Sequence, residues 1–324
     1  MSHEYPLTEW PTEPFWSENY AAMFVEPNTQ IAMFTSMGRW YGDPSVWREV
    51  IGLSLPDGRV LYSKNYGRNV SPVGPAAALG SWETLEPEKT LRLRFDGPMG
   101  ESTWDKLAEH GWREGPMRRC KIDLTFEALH PIWFMRGDSV EAQTVAGGMH
   151  TEQIGKVNGT IEFDKVYPFN DGYCIRDHSR GPRDPKDFYR YCWMSGHFPA
   201  SGRGFYVYLM ESRGTEGHGM ANAMISDGQQ LHEAKVTQSG YLSCVEDGKT
   251  LPSVTIESAL GTMQIRATRF TGRVVNSFWR PFDNSIGFNR DFSSAYVYAD
   301  GLVLECDGET GTGWCERGFA PEPL

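Results

Sequence analysis

The sequence has no block of basic residues, and its 31 lysines and arginines are outnumbered by 42 aspartates and glutamates, giving a formal net charge of −11. Nucleic acids and anionic membrane surfaces attract proteins through clustered positive charge. We therefore expect neither as a partner. No apolar run approaches the ~20 residues of a membrane-spanning helix, so membrane insertion is not expected either.

Cysteines are few and scattered. They are Cys120, Cys174, Cys192, Cys244, Cys306 and Cys315. None belongs to a Cys-x-x-Cys pair, which argues against a zinc site of that type. The first residues of the sequence have neither a basic start nor an apolar core, so we expect no secretory signal. Free thiols in a reducing cytoplasm are the resulting prediction.

The fingerprints of common enzyme classes are also missing. There is no Gly-x-Ser-x-Gly elbow, no phosphate-binding loop and no convincing dinucleotide fingerprint, so we expect no organic cofactor. One combination resembles a two-histidine, one-carboxylate iron site, namely His150 and Glu152 with either His197 or His218. Because His-x-Glu pairs arise easily by chance, we predict no bound metal.

Aromatic residues are abundant: the chain has 11 tryptophans, 14 tyrosines and 17 phenylalanines. Such residues favour strands and line apolar pockets. Alternating segments such as Leu91–Phe95 and Ile122–Ala128 predict strands with one buried face. A helix is predicted only near residues 102–110, where Ser102 serves as the cap and Gly111 as the end.

Turn signals recur between the predicted strands. Pro56-Asp57-Gly58 predicts a tight turn, and Asp-Gly pairs occur at 227–228, 247–248, 300–301 and 307–308. Strands at such regular spacing, without intervening helices, predict an all-β protein with antiparallel barrels or sandwiches.

The segment from His150 to Asp184 is the densest in groups that can exchange protons. It contains Arg176-Asp177-His178-Ser179-Arg180, followed by Arg183 and Asp184. In a strand, neighbouring side chains point to opposite faces, so His178 would share a face with Arg176 or Arg180, and Asp177 would lie on the other. A solvated turn whose charges pair locally is the alternative interpretation.

The order His-x-Glu-Gln, a Gly-x-Ile strand and Arg-Asp-His-Ser-x-Gly-x-Arg-Asp over residues 148–184 resembles the two-domain lipocalin-like family of carotenoid 1,2-hydratase and the AttH proteins. Kievitone hydratase and lipocalin-like Diels-Alderases share that architecture. The closing segment Gly311–Glu316 supports the resemblance. Arg180 stands where the hydratase branch has tryptophan, which argues against a carotenoid substrate.

The resemblance implies two lipocalin-like β domains with a short inserted helix. We place these domains at residues 1–140 and 141–324, with the boundary inside residues 137–148. It also implies a cofactor-independent lyase or isomerase, of the hydratase or dehydratase type, acting on an apolar terpenoid, polyketide or steroid-like molecule held between the domains. A lipocalin-like binder of a hydrophobic ligand and a pericyclic cyclase are the alternatives. The sequence leaves open whether the protein is a homodimer.

Roles for side chains follow from their chemistry and from the resemblance. His178 is our candidate for the general acid–base residue, because an imidazole exchanges protons near neutral pH. The other candidate catalytic residues are Asp177, Asp184 and Glu152. The candidate substrate-binding residues are Arg176, Arg180, Arg183, His150, Gln153, Tyr206, Tyr208 and Trp193. The arginines are expected to hold an oxygen substituent of the substrate, and His130, beside a proline, is expected to be structural.

Overall fold

The computed structural model describes residues 3–68, 71–111, 115–135, 148–214, 219–239 and 248–324, which form mostly β-strands. The strands of the first sheet are β1 (Trp16–Glu26), β2 (Ile31–Trp40), β3 (Asp43–Ser54), β4 (Arg59–Arg68), β5 (Gly80–Glu86), β6 (Thr90–Thr103), β7 (Met117–Ala128), β8 (Trp133–Phe134), β9 (Met149–Glu162) and β10 (Val166–Pro182). Those of the second sheet are β11 (Phe188–Phe198), β12 (Arg203–Ser212), β13 (Met220–Ser226), β14 (Leu231–Ser239), β15 (Ser253–Ser258), β16 (Gly261–Trp279), β17 (Asp283–Ile286), β18 (Ala295–Cys306) and β19 (Glu309–Phe319). Within these ranges the helical segments are α1 (Trp104–His110) and the short 3-10 helix Pro185–Asp187.

Each sheet closes into an antiparallel barrel. In the first barrel, β10 pairs with β1 on one side and with β9 on the other, which closes a ring of eight strands. In the second barrel, β16 pairs with both β15 and β18 and closes a second ring. Strands β5, β8 and β17 are attached outside the rings. The all-β, lipocalin-like fold with one short helix, predicted from the sequence, is confirmed.

The alternation of side chains along the strands creates three apolar layers. On β1, Tyr20 and Phe24 point into the first barrel, whereas Met23 points outward against the second. On β12, Val207 points into the second barrel and Tyr208 outward against the first. Because burying a large apolar side chain contributes roughly 1.5–3 kcal/mol, the layer between the barrels holds them together.

Most local predictions are confirmed, and two are wrong. The segments Leu91–Phe95 and Ile122–Ala128 lie in β6 and β7, and Gly58 has a φ of 87° in the turn after β3. The residue before α1 is Thr103 rather than Ser102. The pair at 300–301, predicted as a turn, lies inside β18, because Gly301 packs against the first barrel, where a side chain would meet Ala32.

The chain passes from one barrel to the other later than predicted. Strands β9 and β10, which cover residues 149–182, pair with strands of the first barrel, so the passage is at residues 183–187. This pairing corrects the boundary that we placed at 140/141, since β9 and β10 are needed to close the first ring. Of the predicted boundary segment 137–148, all but residue 148 lies outside the described residues.

None of the helices formed by the described residues has the length and apolar character needed to cross a membrane.

Candidate active site between the barrels

A cavity lies in the layer between the two barrels. Its volume is about 120 Å³, which is room for a small molecule or for one end of a larger one. Apolar side chains from both barrels form most of its wall, and they include Met23, Phe34, Phe188, Phe278 and Phe282. The polar side chains at its wall include His150, Asp177, Arg183 and Glu316. Domain interfaces are common places for small-molecule sites.

Strand β10 sends consecutive residues to opposite sides of the first barrel wall. Asp177 reaches the cavity, whereas His178 points into the barrel, where its ring stacks on Tyr20 at 3.8 Å between centroids. Arg176 and Arg180 lie on the same face as His178. The strand alternation expected from the sequence is therefore present, and it separates His178 from the cavity.

The inner face of β10 belongs to a network of ion pairs inside the first barrel. Glu18 contacts His178 at 3.3 Å, Arg180 at 2.7 Å and Arg39 at 2.8 Å. Burial acts to raise the pKa of Glu18, but these three neighbours outweigh it and lower the pKa to about 2. Burial also lowers the pKa of His178 to about 4, although the hydrogen bond with Glu18 opposes the shift. These values make Glu18 anionic and His178 neutral near pH 7.

The segment before β1 lies over this network. Glu4 pairs with Arg176 at 2.7 Å, and the backbone carbonyls of His3 and Tyr5 accept hydrogen bonds from Arg180. Arg176 also donates to Gln153 Oε1 at 2.6 Å. Since these charges are paired within the barrel, Arg176 and Arg180 are not available to a molecule in the cavity.

On the outer face of β9 and β10, an imidazole lies between two carboxyl groups. His150 Nε2 is 3.4 Å from Glu152 Oε1 and 3.9 Å from Asp177 Oδ2. Trp193 of the second barrel donates its indole N–H to Glu152 Oε2 at 3.0 Å. The side chain of Glu152 is 0% exposed and lies behind the cavity wall, whereas that of Asp177 is 15% exposed and forms part of that wall.

Burial raises the proton affinity of all three carboxyl groups in this region. It raises the pKa of Asp177 to about 6, although His150 and Arg183 act in the opposite direction. It raises the pKa of Glu152 to about 8 against the hydrogen bond from Trp193. It raises the pKa of Glu316 to about 7, although Tyr191 donates its hydroxyl hydrogen to Oε2 at 2.6 Å. Carboxyl groups with pKa values on either side of neutrality can serve as acid and base.

Comparisons with known proteins place the chain in a family. Residues 1–319 match the family model described as a domain of unknown function, DUF7064. The chain belongs to that family. None of the curated proteins is similar enough in sequence to match.

Several solved structures share the fold. The AttH-like protein NE1406 from Nitrosomonas europaea aligns with a TM-score of 0.54 and 12% identity, over 93% of this chain and 91% of that one. CghA in complex with Sch210972 aligns with a TM-score of 0.57 and 11% identity, over 95% and 89%. Kievitone hydratase from Nectria haematococca aligns with a TM-score of 0.50 and 10% identity, over 94% and 88%. At such identities the similarity establishes the fold, and it agrees with the lipocalin-like resemblance in the sequence.

Of the remaining candidate site residues, two line the cavity and two lie outside it. Tyr208 lines the cavity and stacks on Tyr191 at 5.9 Å between centroids, and Trp193 also lines it. Tyr206 is buried outside the cavity wall, where its hydroxyl accepts a hydrogen bond from the backbone N–H of Ile154 at 3.0 Å. Asp184 pairs with Arg280 at 2.7 Å and accepts from the backbone N–H of Lys186.

Sequence reasoning missed part of the site. Glu316, Tyr191 and Asn276 line the cavity from the second barrel and carried no assigned role. Glu316 ends the closing segment that supported the family resemblance, so a signal for it was present. Tyr191 and Asn276 sit in ordinary apolar strands, and no local pattern marks them.

The iron-site hypothesis finds no support in the described part of the chain. No group of three or more histidine, cysteine, aspartate or glutamate side chains there is arranged to hold a metal ion. His197 instead contacts His130 at 2.9 Å, and His130 also contacts Ser226 at 2.8 Å. His218 lies outside the described residues.

Proposed function

We propose that the cavity between the barrels is the active site of a lyase or isomerase, of the hydratase or dehydratase type, that acts on a largely apolar small molecule by acid–base chemistry. One observation supports it above all: Asp177 and Glu316 line an apolar cavity, and the buried Oδ1 of Asp177 has no hydrogen-bond partner. Buried polar atoms without partners are uncommon, and a substrate supplies what they lack.

The proton affinities suggest the division of roles. Asp177, with a pKa of about 6, is mostly ionised at slightly alkaline pH and is the candidate base. Glu316, with a pKa of about 7, retains a proton in a sizeable fraction of molecules and is the candidate acid. His150 contacts Asp177 and positions it, and Glu152 holds His150 from behind the wall.

In a dehydration, Asp177 would take the proton from the carbon next to a carbonyl group. The electron pair of the broken C–H bond would form the new double bond, and the hydroxyl group on the neighbouring carbon would leave with a proton from Glu316 as water. The reverse sequence is a hydration, and proton removal followed by return at another carbon is an isomerisation. Apolar walls favour each of these steps by keeping bulk water from the carboxyl groups.

Deuterium incorporation tests the proposal with generic probes in place of the natural substrate. Purified protein in D₂O would be given a panel of aryl enones and their β-hydroxy ketones, and mass spectrometry would follow deuterium uptake and the gain or loss of water. We expect catalysed exchange with at least one probe, and a loss of about 10²-fold or more in Asp177→Asn and in Glu316→Gln.

Asp187→Asn is the matched control, because Asp187 is exposed beside the cavity and contacts Lys186 at 3.8 Å. This variant should retain the parent rate. A ligand-binding assay by tryptophan fluorescence, run on the same probes, distinguishes an enzyme from a protein that only binds its ligand. Probes that bind without exchange or turnover would contradict the enzyme and favour a carrier of hydrophobic ligands.

A further inference from the structure

Arg183 has an unusual environment for a buried cation. The residue is 6% exposed, and its side chain lines the cavity between the barrels. No carboxylate of the described residues lies within ion-pairing distance of it, and its Nε has no hydrogen-bond partner. Its backbone N–H donates to the carbonyl of Phe15, and its guanidinium lies over the ring of Phe282 at 5.2 Å. The ring offsets only part of the cost of burying a charge.

Other buried arginines of the protein differ in this respect. Arg39 pairs with Glu18 at 2.8 Å, Arg176 with Glu4 at 2.7 Å, and Arg317 with Asp300 at 2.9 Å. Buried charges are normally paired, because removing them from water is costly. An anion that enters the cavity would give Arg183 the partner that these arginines have within the chain.

A second donor from the other barrel faces the same cavity. Asn276 of β16 is buried, and its side-chain Nδ2 has no hydrogen-bond partner. Arg183 and Asn276 thus offer donors without acceptors, and apolar side chains such as Phe278 and Phe282 lie beside them. Asp177, an acidic group of the cavity wall, attracts Arg183 electrostatically but makes no ion pair with it.

We infer that Arg183 and Asn276 bind the carboxylate of an acidic, otherwise apolar ligand in this cavity. A planar guanidinium matches the two oxygens of a carboxylate. A single negative charge is favoured over a phosphate dianion, because Asp177 and Glu316 would repel the second charge. The inference deepens the proposed function, on which it relies for the choice of cavity, by naming the substrate class.

Binding of a matched pair of probes tests this inference. The dissociation constants of trans-cinnamate and of uncharged trans-cinnamamide would be measured by calorimetry at slightly alkaline pH. We expect the acid to bind about tenfold or more tightly than the amide, because hydrogen bonds to a charged group are the strong ones. Arg183→Leu should abolish this preference. Arg280→Leu, at an exposed arginine that pairs with Asp184, should keep it.

Equal affinity for acid and amide, or no binding of either in the millimolar range, would overturn the inference. Arg183→Leu should melt at or above the temperature of the parent, because it replaces an unpaired buried charge by an apolar side chain. A folded Arg183→Leu that still prefers the acid is also contrary evidence. Asn276→Asp provides an independent variant, which should weaken cinnamate through repulsion and leave cinnamamide nearly unchanged.

The proposed reaction and the proposed carboxylate site can be rejected independently of each other. Preference for the acid is an equilibrium property, so it can hold even if no probe exchanges deuterium, and in that case only the reaction is rejected. Catalysed exchange without any preference for acids would reject the carboxylate and leave the reaction standing.

Discussion

At the scale of single residues, three similar carboxyl groups acquire different properties from their neighbours. Glu152 has an indole donor and almost no contact with solvent, Asp177 has His150 and Arg183 nearby, and Glu316 has the hydroxyl of Tyr191. Their pKa values of about 8, 6 and 7 follow from the balance between burial and these contacts. A carboxyl group whose pKa rises on folding makes the folded state take up protons.

Glu152 therefore makes stability depend on pH in a predictable direction. Because its pKa is raised from 4.5 to about 8, its favourable contribution is complete below the unfolded pKa and is lost as the pH rises through the folded value. Glu152→Gln resembles the protonated form and can still accept from Trp193. We expect parent and variant to be similar near about pH 5, and the variant to be more stable by a few kcal/mol near about pH 9.

Urea unfolding at a series of pH values would measure this difference. Glu162→Gln is the matched control, since Glu162 is exposed and pairs with Lys121 at the surface. A stability difference between Glu152→Gln and the parent that stays constant with pH would show that Glu152 does not titrate as described.

At the scale of elements, β10 shows what the sequence could and could not predict. Alternation separated Asp177 from His178 correctly, because the period of a strand is fixed by its backbone. Both faces of β10 carry polar residues, however, and only the pairing of β10 with β1 and β9 decides which face meets the second barrel. His178 was the leading candidate from the sequence because an imidazole exchanges protons near neutral pH, but its position inside the first barrel places it against Tyr20 and Glu18.

Substitution of His178 should accordingly affect stability more than chemistry. His178→Ala removes a stacked ring and a contact with Glu18 from the barrel interior, and we expect a loss of roughly 2–4 kcal/mol in the free energy of unfolding. Deuterium exchange and ligand binding in the cavity should stay near the parent values. Asp177→Asn should instead lose deuterium exchange and keep a stability near that of the parent. A well-folded His178→Ala protein without activity would return His178 to the mechanism.

At the scale of the whole molecule, the two barrels pack face to face, and their contact creates the cavity. The barrels themselves follow from the alternating segments and turn signals of the sequence. The packing of the barrels against each other could not be predicted from the sequence, because outward residues such as Met23 and Val50 are as apolar as those inside the barrels. Ion pairs also cross the interface, since Asp283 contacts Arg48 at 2.8 Å and Lys64 at 3.1 Å. Such contacts between distant parts of the chain leave no local pattern.

Glycine at position 52 lets the barrels approach closely enough to enclose the cavity. A Cβ atom there would lie 2.4 Å from Val274 Cγ1 and 2.8 Å from Ile286 Cδ1, both in the second sheet. We expect Gly52→Ala to lose roughly 1–3 kcal/mol of stability through overpacking and to weaken cinnamate binding. Gly148→Ala is the control, because its Cβ would have only an ordinary contact at 3.7 Å.

The double variant Gly52→Ala, Val274→Ala makes this prediction specific. Val274→Ala removes the nearer obstructing methyl group, Cγ1, together with Cγ2. It should restore part of the stability lost in Gly52→Ala, so a double-mutant cycle should give a favourable interaction energy of about 0.5 kcal/mol or more. Ligand affinity should recover in parallel, since the same contact sets the distance between the barrels and the width of the cavity. Additive losses in the cycle, or an affinity that does not follow stability, would mean that the barrels are held at this distance by other contacts, such as the ion pairs of Asp283.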